Sequence, residues 1–181
     1  MMEEKSTKII AFKKIKELVE KFEVNKREYV DSTSEYNETE VRRDFIDPFF
    51  EALGWDVSNT KSLPQNVREV IHEANVDVNG KNKKPDYAIK VGGTRKFFVE
   101  AKKPSVDIAT QSKPAFQLRR YGWSAKMSVS VLTNFLNLSI YDCKAIPKEG
   151  ENYRIGRIKH YHLSDYLSKF DEIFELLSRE S

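Results

Sequence analysis

Two acidic residues and a lysine lie at the open end of a predicted β-hairpin. The stretch KPDYAIKVGGTRKFFVEAKK, residues 84–103, carries Asp86 before its first strand and Glu100 and Lys102 at the end of its second strand. Carboxylates that face each other across two strands repel each other unless an opposite charge offsets the repulsion. A divalent cation would do so, and a nearby amine would help. Charged residues at strand ends are also common solubilising features, so the hairpin alone leaves both interpretations open.

The apolar alternation selects the pairing of the two strands. A two-residue turn at Gly92-Gly93 would set Ile89 opposite Lys96 and mix apolar with polar side chains. We therefore predict a three-residue loop over residues 92–94, which pairs Val91 with Arg95. This register gathers the apolar side chains on one face: Tyr87, Ile89, Val91, Phe97, Val99 and Ala101.

The same register brings the charged residues together. Asp86 then lies directly opposite Glu100, with Cβ atoms about 5 Å apart. Lys102 is two residues beyond Glu100 and therefore points to the same side of the strand. Core packing and chemistry select the same pairing independently.

The chain resembles a known group of nucleases at these positions. Pro85-Asp86, thirteen residues and then Glu100-Ala101-Lys102 match the PD-(D/E)XK nuclease motif. In one branch of these enzymes a Q-x-x-x-Y helix follows the motif, and Gln117 and Tyr121 in QLRRY fit it. That branch also has a glutamate on the preceding helix, which Glu40 in ETEVRRDFIDPFFEALGW fits.

The likeness extends from about Glu38 to Cys143 and is similar to the amino-terminal nuclease domain of fused type IIG restriction–modification enzymes. In those proteins an N6-adenine methyltransferase follows in the same polypeptide, and type I restriction subunits have a related nuclease domain. We find no Asn-Pro-Pro-Tyr-like methyltransferase motif and no glycine-rich cofactor loop here. We therefore expect an excised domain or a truncated relative.

The resemblance implies a metal site. Asp86, Glu100, the main-chain carbonyl of Ala101 and Glu40 would bind Mg²⁺, for which Mn²⁺ would substitute, because hard cations prefer oxygen ligands. Lys102 would orient or deprotonate the attacking water and offset charge on the phosphate. Glu40 has an equally good alternative as an acid that complements the N-terminal dipole of its helix.

Other residues are implied in substrate binding. Gln117 would hydrogen-bond a phosphate, a base edge or the catalytic lysine, and Tyr121 either supports it or packs in the core. Arg119 and Arg120 face differently from Gln117, and either one contacts the DNA backbone or only solvent. Four lysines near the motif are candidates for neutralising phosphates: Lys81, Lys83, Lys84 and Lys103.

The elements around the motif indicate an α/β fold with a central mixed β-sheet flanked by helices, which the resemblance makes a restriction-endonuclease-like PD-(D/E)XK core. We predict one nuclease domain over residues 1–181, with a helical extension at 1–35, a catalytic core at 36–145 and a C-terminal helical segment at 146–181 that leads to a missing methyltransferase region. The predicted elements are as follows: helices from about Thr7 to Val24, around Glu40 to Leu53 with a kink or restart at Asp47-Pro48, in SKPAFQLRRYGWSA and in LSDYLSKFDEIFELLSRE; strands in VREVIHEANVDVNG, the hairpin, MSVSVLTN and FLNLSIYDC; a short strand or irregular entry at GWDVSNT; and a basic turn at KNKK.

Composition limits the classes of protein. The chain of 181 residues is 39% hydrophobic with a net charge of +3, which permits nucleic-acid binding without demonstrating it. Its apolar runs are too short to span a bilayer, and its single cysteine, Cys143, excludes an intrachain disulfide. We expect a cytoplasmic protein with no membrane partner.

The leading hypothesis is a Mg²⁺-dependent DNA endonuclease domain that acts on double-stranded DNA. Its partners would be a covalently linked adenine methyltransferase and target-recognition region, with a transient dimer on DNA as a further expectation. The alternatives are a catalytically silent DNA-binding or assembly module of the same fold, and a repair or defence nuclease without sequence specificity. The intact Asp86, Glu100 and Lys102 favour cleavage over the silent module.

Overall fold

A six-stranded mixed sheet forms the centre of the protein in a computed structural model that describes residues 1–181. The strands, in chain order, are β1 (Val70–His72), β2 (Val76–Val78), β3 (Lys81–Lys83), β4 (Tyr87–Val91), β5 (Thr94–Ala101), β6 (Val129–Thr133), β7 (Asn137–Asp142) and β8 (Arg157–His162). The order across the sheet is β1-β4-β5-β6-β7-β8, and β2 pairs only with β3. Only β5 and β6 run parallel in the main sheet, because a helical crossover joins them.

Helices cover both faces of the sheet. They are α1 (Met2–Val24), α2 (Lys26–Val30), α3 (Glu38–Val41), a π-helical turn (Arg42–Ile46), α4 (Asp47–Ala52), α5 (Ser112–Ser124), a 3-10 turn (Leu163–Asp165) and α6 (Phe170–Leu177). The predicted α/β class with a flanked mixed sheet is therefore confirmed. No helix combines the length and the apolar content that crossing a membrane requires.

The main core lies between one face of the sheet and the helices α1, α4 and α6. Ile15 and Phe22 of α1 are buried in it, so the helix predicted as an N-terminal extension packs into the core. The opposite face of the sheet is covered by α5. There Ala88 and Phe98 are fully buried beside Tyr121. The side of the hairpin that carries the charged residues is therefore also enclosed.

The hairpin has the predicted register and a different turn. Tyr87 pairs with Val99 and Ile89 with Phe97, as the apolar alternation predicts. The three-residue loop is wrong: a two-residue turn at Gly92-Gly93 joins Val91 to Thr94, and both glycines have positive φ (57° and 83°). A β-bulge next to Lys90 absorbs the extra residue, so that a tight turn is compatible with the apolar pairing.

The helix before the motif is continuous and distorted. α3, the π-helical turn and α4 follow one another without a break, and α4 starts at Asp47 with Pro48 in its first turn, as predicted. The Asp47 amide donates to the Arg42 carbonyl, five residues back. Because a proline ring clashes with the carbonyl four residues earlier, the turn before Pro48 widens.

Several predicted elements need correction. The predicted basic turn KNKK contains strand β3, because the chain turns earlier, at Asn79-Gly80, where both residues have positive φ. GWDVSNT forms turns, which agrees with the predicted irregular entry and not with the alternative of a short strand. The segment 146–181 is not purely helical, because β8 pairs with β7 at the edge of the sheet; its exposed polar side chains hide the strand pattern. The last helix is also shorter than predicted and begins at Phe170.

Candidate active site

The open end of the β4–β5 hairpin brings Asp86 and Glu100 together below α5. Asp86 precedes β4, where the backbone pairing with β5 ends, and its Oδ2 accepts a hydrogen bond of 2.7 Å from the Ala101 amide. Both carboxylates are buried, with 8% of Asp86 and 5% of Glu100 exposed. The Glu100 Oε2 atom is enclosed and has no hydrogen-bond partner. A buried carboxylate oxygen without a partner is costly unless it holds a proton or a cation.

The electrostatics of this pair favour a shared positive charge. Burial raises the pKa of Glu100 to about 10, and the neighbouring Asp86 carboxylate acts in the same direction. The positive charge of Lys102 opposes this rise in the pKa of Glu100. The Lys102 side chain is half-buried, and its amide donates to the Thr133 carbonyl on β6, which anchors the end of β5.

The helical acid beside the pair is Glu38 rather than Glu40. Burial first and then the charge of Asp86 raise the pKa of Glu38. Glu40 is occupied in a capping box, in which its carboxylate accepts from the Asn37 amide and the Asn37 side chain accepts from the Glu40 amide. Of the two alternatives for Glu40, the structure therefore favours the acid at the helix N-terminus over the metal ligand. The stretch ETE contains two acids, Glu38 and Glu40, and only the capping geometry shows which of them faces the carboxylates.

Arg42 is a site residue that sequence reasoning missed. Its guanidinium lies 3.4 Å from both the Oδ1 atom and the main-chain oxygen of Asp86, and 3.2 Å from the Tyr87 hydroxyl. It also lies over the Tyr87 ring, at 4.7 Å. The Tyr87 hydroxyl in turn donates to Asp47 at 2.5 Å. The signal in the sequence is the four-residue spacing from Glu38 to Arg42, which places both on one face of a helix.

The Q-x-x-x-Y pair lies on the face of α5 that looks toward the carboxylates. The Gln117 amide donates to the Tyr121 hydroxyl at 2.6 Å. Burial raises the pKa of Tyr121, and the charges of Glu100 and Asp86 add to the rise. Tyr121 therefore lies within electrostatic reach of the acidic pair, and the role of Gln117 at the site stays a prediction.

The basic residues behave differently from one another. Arg119 is buried and forms an ion pair with Glu151, so its predicted contact with the DNA backbone is wrong for this structure. Arg120 is half-buried, with its guanidinium 5.5 Å from the centre of the Phe116 ring. Lys84 is exposed and Lys103 is half-buried, and both remain predictions as DNA contacts.

The oxygen donors suit a hard cation held by few side chains. No three or more His, Cys, Asp or Glu side chains form a ready-made metal cluster. Mg²⁺ does not require one, because it commonly binds through one or two carboxylates together with waters and substrate phosphates. Asp86, the unpartnered Glu100 oxygen and the nearby Ala101 carbonyl are consistent with that pattern. The donor set therefore fits Mg²⁺.

Comparison with protein families matches the same region. The family model described as "Type I restriction enzyme R protein N terminus (HSDR_N)" covers residues 59–149, half of the chain. This chain belongs to that family. The match to the R protein N-terminal family includes the hairpin and α5, and it ends before β8. Glu38 and Arg42 lie outside the matched range.

Two individual proteins are also similar to this chain. Type II restriction enzyme and methyltransferase RM.Eco57I of Escherichia coli is 50% identical over 151 residues. These residues are 82% of this chain and 15% of that protein, so this R protein N-terminal domain spans a small part of its relative. A solved structure described as "cryoEM structure DrdV-DNA complex" has 16% identity and a TM-score of 0.48, covering 91% of this chain and 94% of that chain.

Proposed function

We propose that this chain is a Mg²⁺-dependent DNA endonuclease domain of the PD-(D/E)XK type, which hydrolyses phosphodiester bonds. The observation that carries the proposal is the enclosed Oε2 atom of Glu100, which lies beside Asp86 and has no partner. Such an oxygen must hold either a proton or a cation. Lys102 adds a cation that would stabilise negative charge on a phosphate beside such a pair.

Different residues would bind the metal ion and act on the attacking water. Asp86 and Glu100 would hold the Mg²⁺, with the Ala101 carbonyl as a further oxygen ligand. When bound, Mg²⁺ supplies a Lewis acid that polarises the phosphate and acidifies a coordinated water. Lys102 orients that water and offsets the negative charge that develops on the phosphate oxygens. Glu38 adds negative charge next to Asp86 and strengthens the attraction for a cation.

Two further residues prepare the site. Arg42 holds Asp86 from the helical side while the Ala101 amide holds it from β5, so that the carboxylate has a defined position before substrate arrives. Gln117 uses one amide hydrogen for Tyr121 and keeps its carbonyl oxygen and its second amide hydrogen for a phosphate or a base edge.

A plasmid cleavage assay tests the proposal. The full chain is incubated with supercoiled DNA and Mg²⁺ or EDTA, and Lys102→Ala is compared with Lys96→Ala. Lys96 is an exposed lysine on the same strand, at its far end, and serves as the matched control. We expect the Lys102 variant to lose about 100-fold or more of the nicking rate and the Lys96 variant to keep it. Equal cleavage by the wild type and Lys102→Ala would refute the assigned site.

The same assay separates the alternatives. A silent DNA-binding module would bind the plasmid and leave it intact with either Mg²⁺ or Mn²⁺. The name of the Escherichia coli relative combines a restriction enzyme with a methyltransferase. We infer that a fused adenine methyltransferase and target-recognition region would supply sequence specificity. The chain alone should therefore nick double-stranded DNA without sequence preference, and a double-strand cut would need a transient dimer or two events.

A further inference from the structure

A cavity of about 520 Å³ has the Gln117–Tyr121 pair in its wall. Its walls come from α5, from the β2–β3 hairpin and from the loop that contains Gly150. The β2–β3 hairpin forms no strand pairing with the main sheet. Its apolar side chains hold it in place by packing against Tyr121 and Phe98. The volume is within the usual range for a small-molecule-sized ligand.

The charges on the cavity wall favour an anion. Three cations line it: Lys83, Lys113 and Arg120. Two acids also line it, but Glu151 is paired with the buried Arg119, which lies behind the wall. Three cations then face one remaining acid, Glu149, so the net charge of the wall is positive. The same ion pair fixes the position of the loop that contains Gly150. The cavity is therefore a defined recess and not a chance gap between surface side chains.

The cavity also offers flat surfaces. The half-buried Phe116 ring lines it, and the Arg120 guanidinium lies 5.5 Å from the ring centre. Aromatic rings and guanidinium planes stack on nucleobases, whose faces are accessible only when the base has left the duplex stack. Binding to the backbone of a duplex, by contrast, requires exposed cations alone. It does not require a recess with an aromatic wall.

We propose that this cavity is a nucleotide subsite, which holds one unpaired nucleotide of a bound DNA strand next to the scissile position. The base stacks on Phe116 and Arg120, and Lys83 and Lys113 neutralise its flanking phosphates. Gln117 and Tyr121 form the wall shared with the carboxylates. The inference rests on the proposed nuclease function and adds the substrate class: a strand that is single, frayed or distorted at the cut.

Binding without cleavage tests the subsite. Anisotropy of a labelled single strand of roughly eight nucleotides is compared with that of a blunt duplex of the same sequence, using the full chain in EDTA. We expect Phe116→Ala to weaken binding of the single strand about tenfold and to leave the duplex nearly unchanged. Trp123→Ala is the matched control, because Trp123 is an exposed aromatic residue on the same helix and lies outside this cavity.

Charge reversal gives a second test. Lys113→Glu should weaken binding of the single strand more than Lys96→Glu does. It should also reduce the magnitude of the slope of log affinity against log salt concentration by about one. Equal effects of Phe116→Ala and Trp123→Ala on single-strand binding would overturn the subsite. Displacement of the oligonucleotide by a free deoxynucleoside monophosphate at equal concentration would assign the cavity to free nucleotides and overturn the strand assignment.

The outcomes for the subsite and for the nuclease are distinguishable. Cleavage with Mg²⁺ together with no single-strand preference would refute the subsite and leave the nuclease proposal standing. A single-strand preference that Phe116→Ala removes, in a wild-type chain that cleaves nothing, would support the subsite and refute the nuclease.

Discussion

Replacement of Glu100 by Gln should stabilise the metal-free protein and remove most of its response to Mg²⁺. Gln has nearly the same shape as the protonated acid and cannot ionise. The pKa of Glu100 is raised from its ordinary value of 4.5 to about 10, mainly by burial. Between these values the folded protein keeps the proton and the unfolded chain releases it. The stability contribution is therefore complete at low pH and is lost progressively as the pH rises.

The magnitude follows from the shift. One proton released per unfolding event lowers the free energy of unfolding by roughly 1.4 kcal/mol for each pH unit, or up to about 3 kcal/mol between about pH 6 and pH 8. The Gln variant lacks this term, so its stability in EDTA should change less with pH and should exceed that of the wild type at the alkaline end. Excess Mg²⁺ should raise the wild-type stability at pH 8 more than at pH 6, because the cation replaces the proton.

Urea denaturation at several pH values, with EDTA or with excess Mg²⁺, measures these differences. Glu69→Gln is the matched control, since Glu69 is also a buried glutamate. Its carboxylate accepts from the Asp56 amide and pairs with Lys61 and Arg179, and these partners lower its pKa against the effect of burial. Glu69→Gln should destabilise the protein and leave the Mg²⁺ response intact. Parallel stability–pH curves for the wild type and Glu100→Gln in EDTA would refute the reasoning.

Three other predictions concern the helical acids, Arg42 and the packing of α5. Glu38→Gln should reduce the rise in Tm caused by Mg²⁺, whereas Glu40→Gln should not, because Gln also completes the capping box; equal reductions would contradict the assignment. Arg42→Ala should lower the free energy of unfolding in EDTA by about 2 kcal/mol, because a buried carboxylate loses its cation, and urea denaturation that shows no loss would refute the contact. Gly122→Ala should cost about 1–3 kcal/mol by the same measurement, because its new Cβ would collide with the Cys143 sulfur; an unchanged stability would mean that α5 moves freely over the sheet.

The sequence determined the local features of this protein. Apolar alternation in the hairpin required the pairing of Ile89 with Phe97, because a slip by one residue would expose the core face. Pro48 marked the start of α4, since a proline is tolerated in the first turn of a helix and disrupts its interior. The spacing of Asp86, Glu100 and Lys102 on one side of two paired strands was sufficient to predict that these three residues are neighbours.

Tertiary structure decided what depends on contacts between distant segments. The position of Glu38 beside Asp86 required α3 to pack near the start of β4, and the burial of Arg119 required Glu151, thirty-two residues later. Arg42 reaches Asp86 only because α3 and the π-helical turn are packed across the end of β4. Local spacing sets which residues share a strand or a helix face, whereas the partner of each charge is set by long-range packing, which no short stretch of sequence contains.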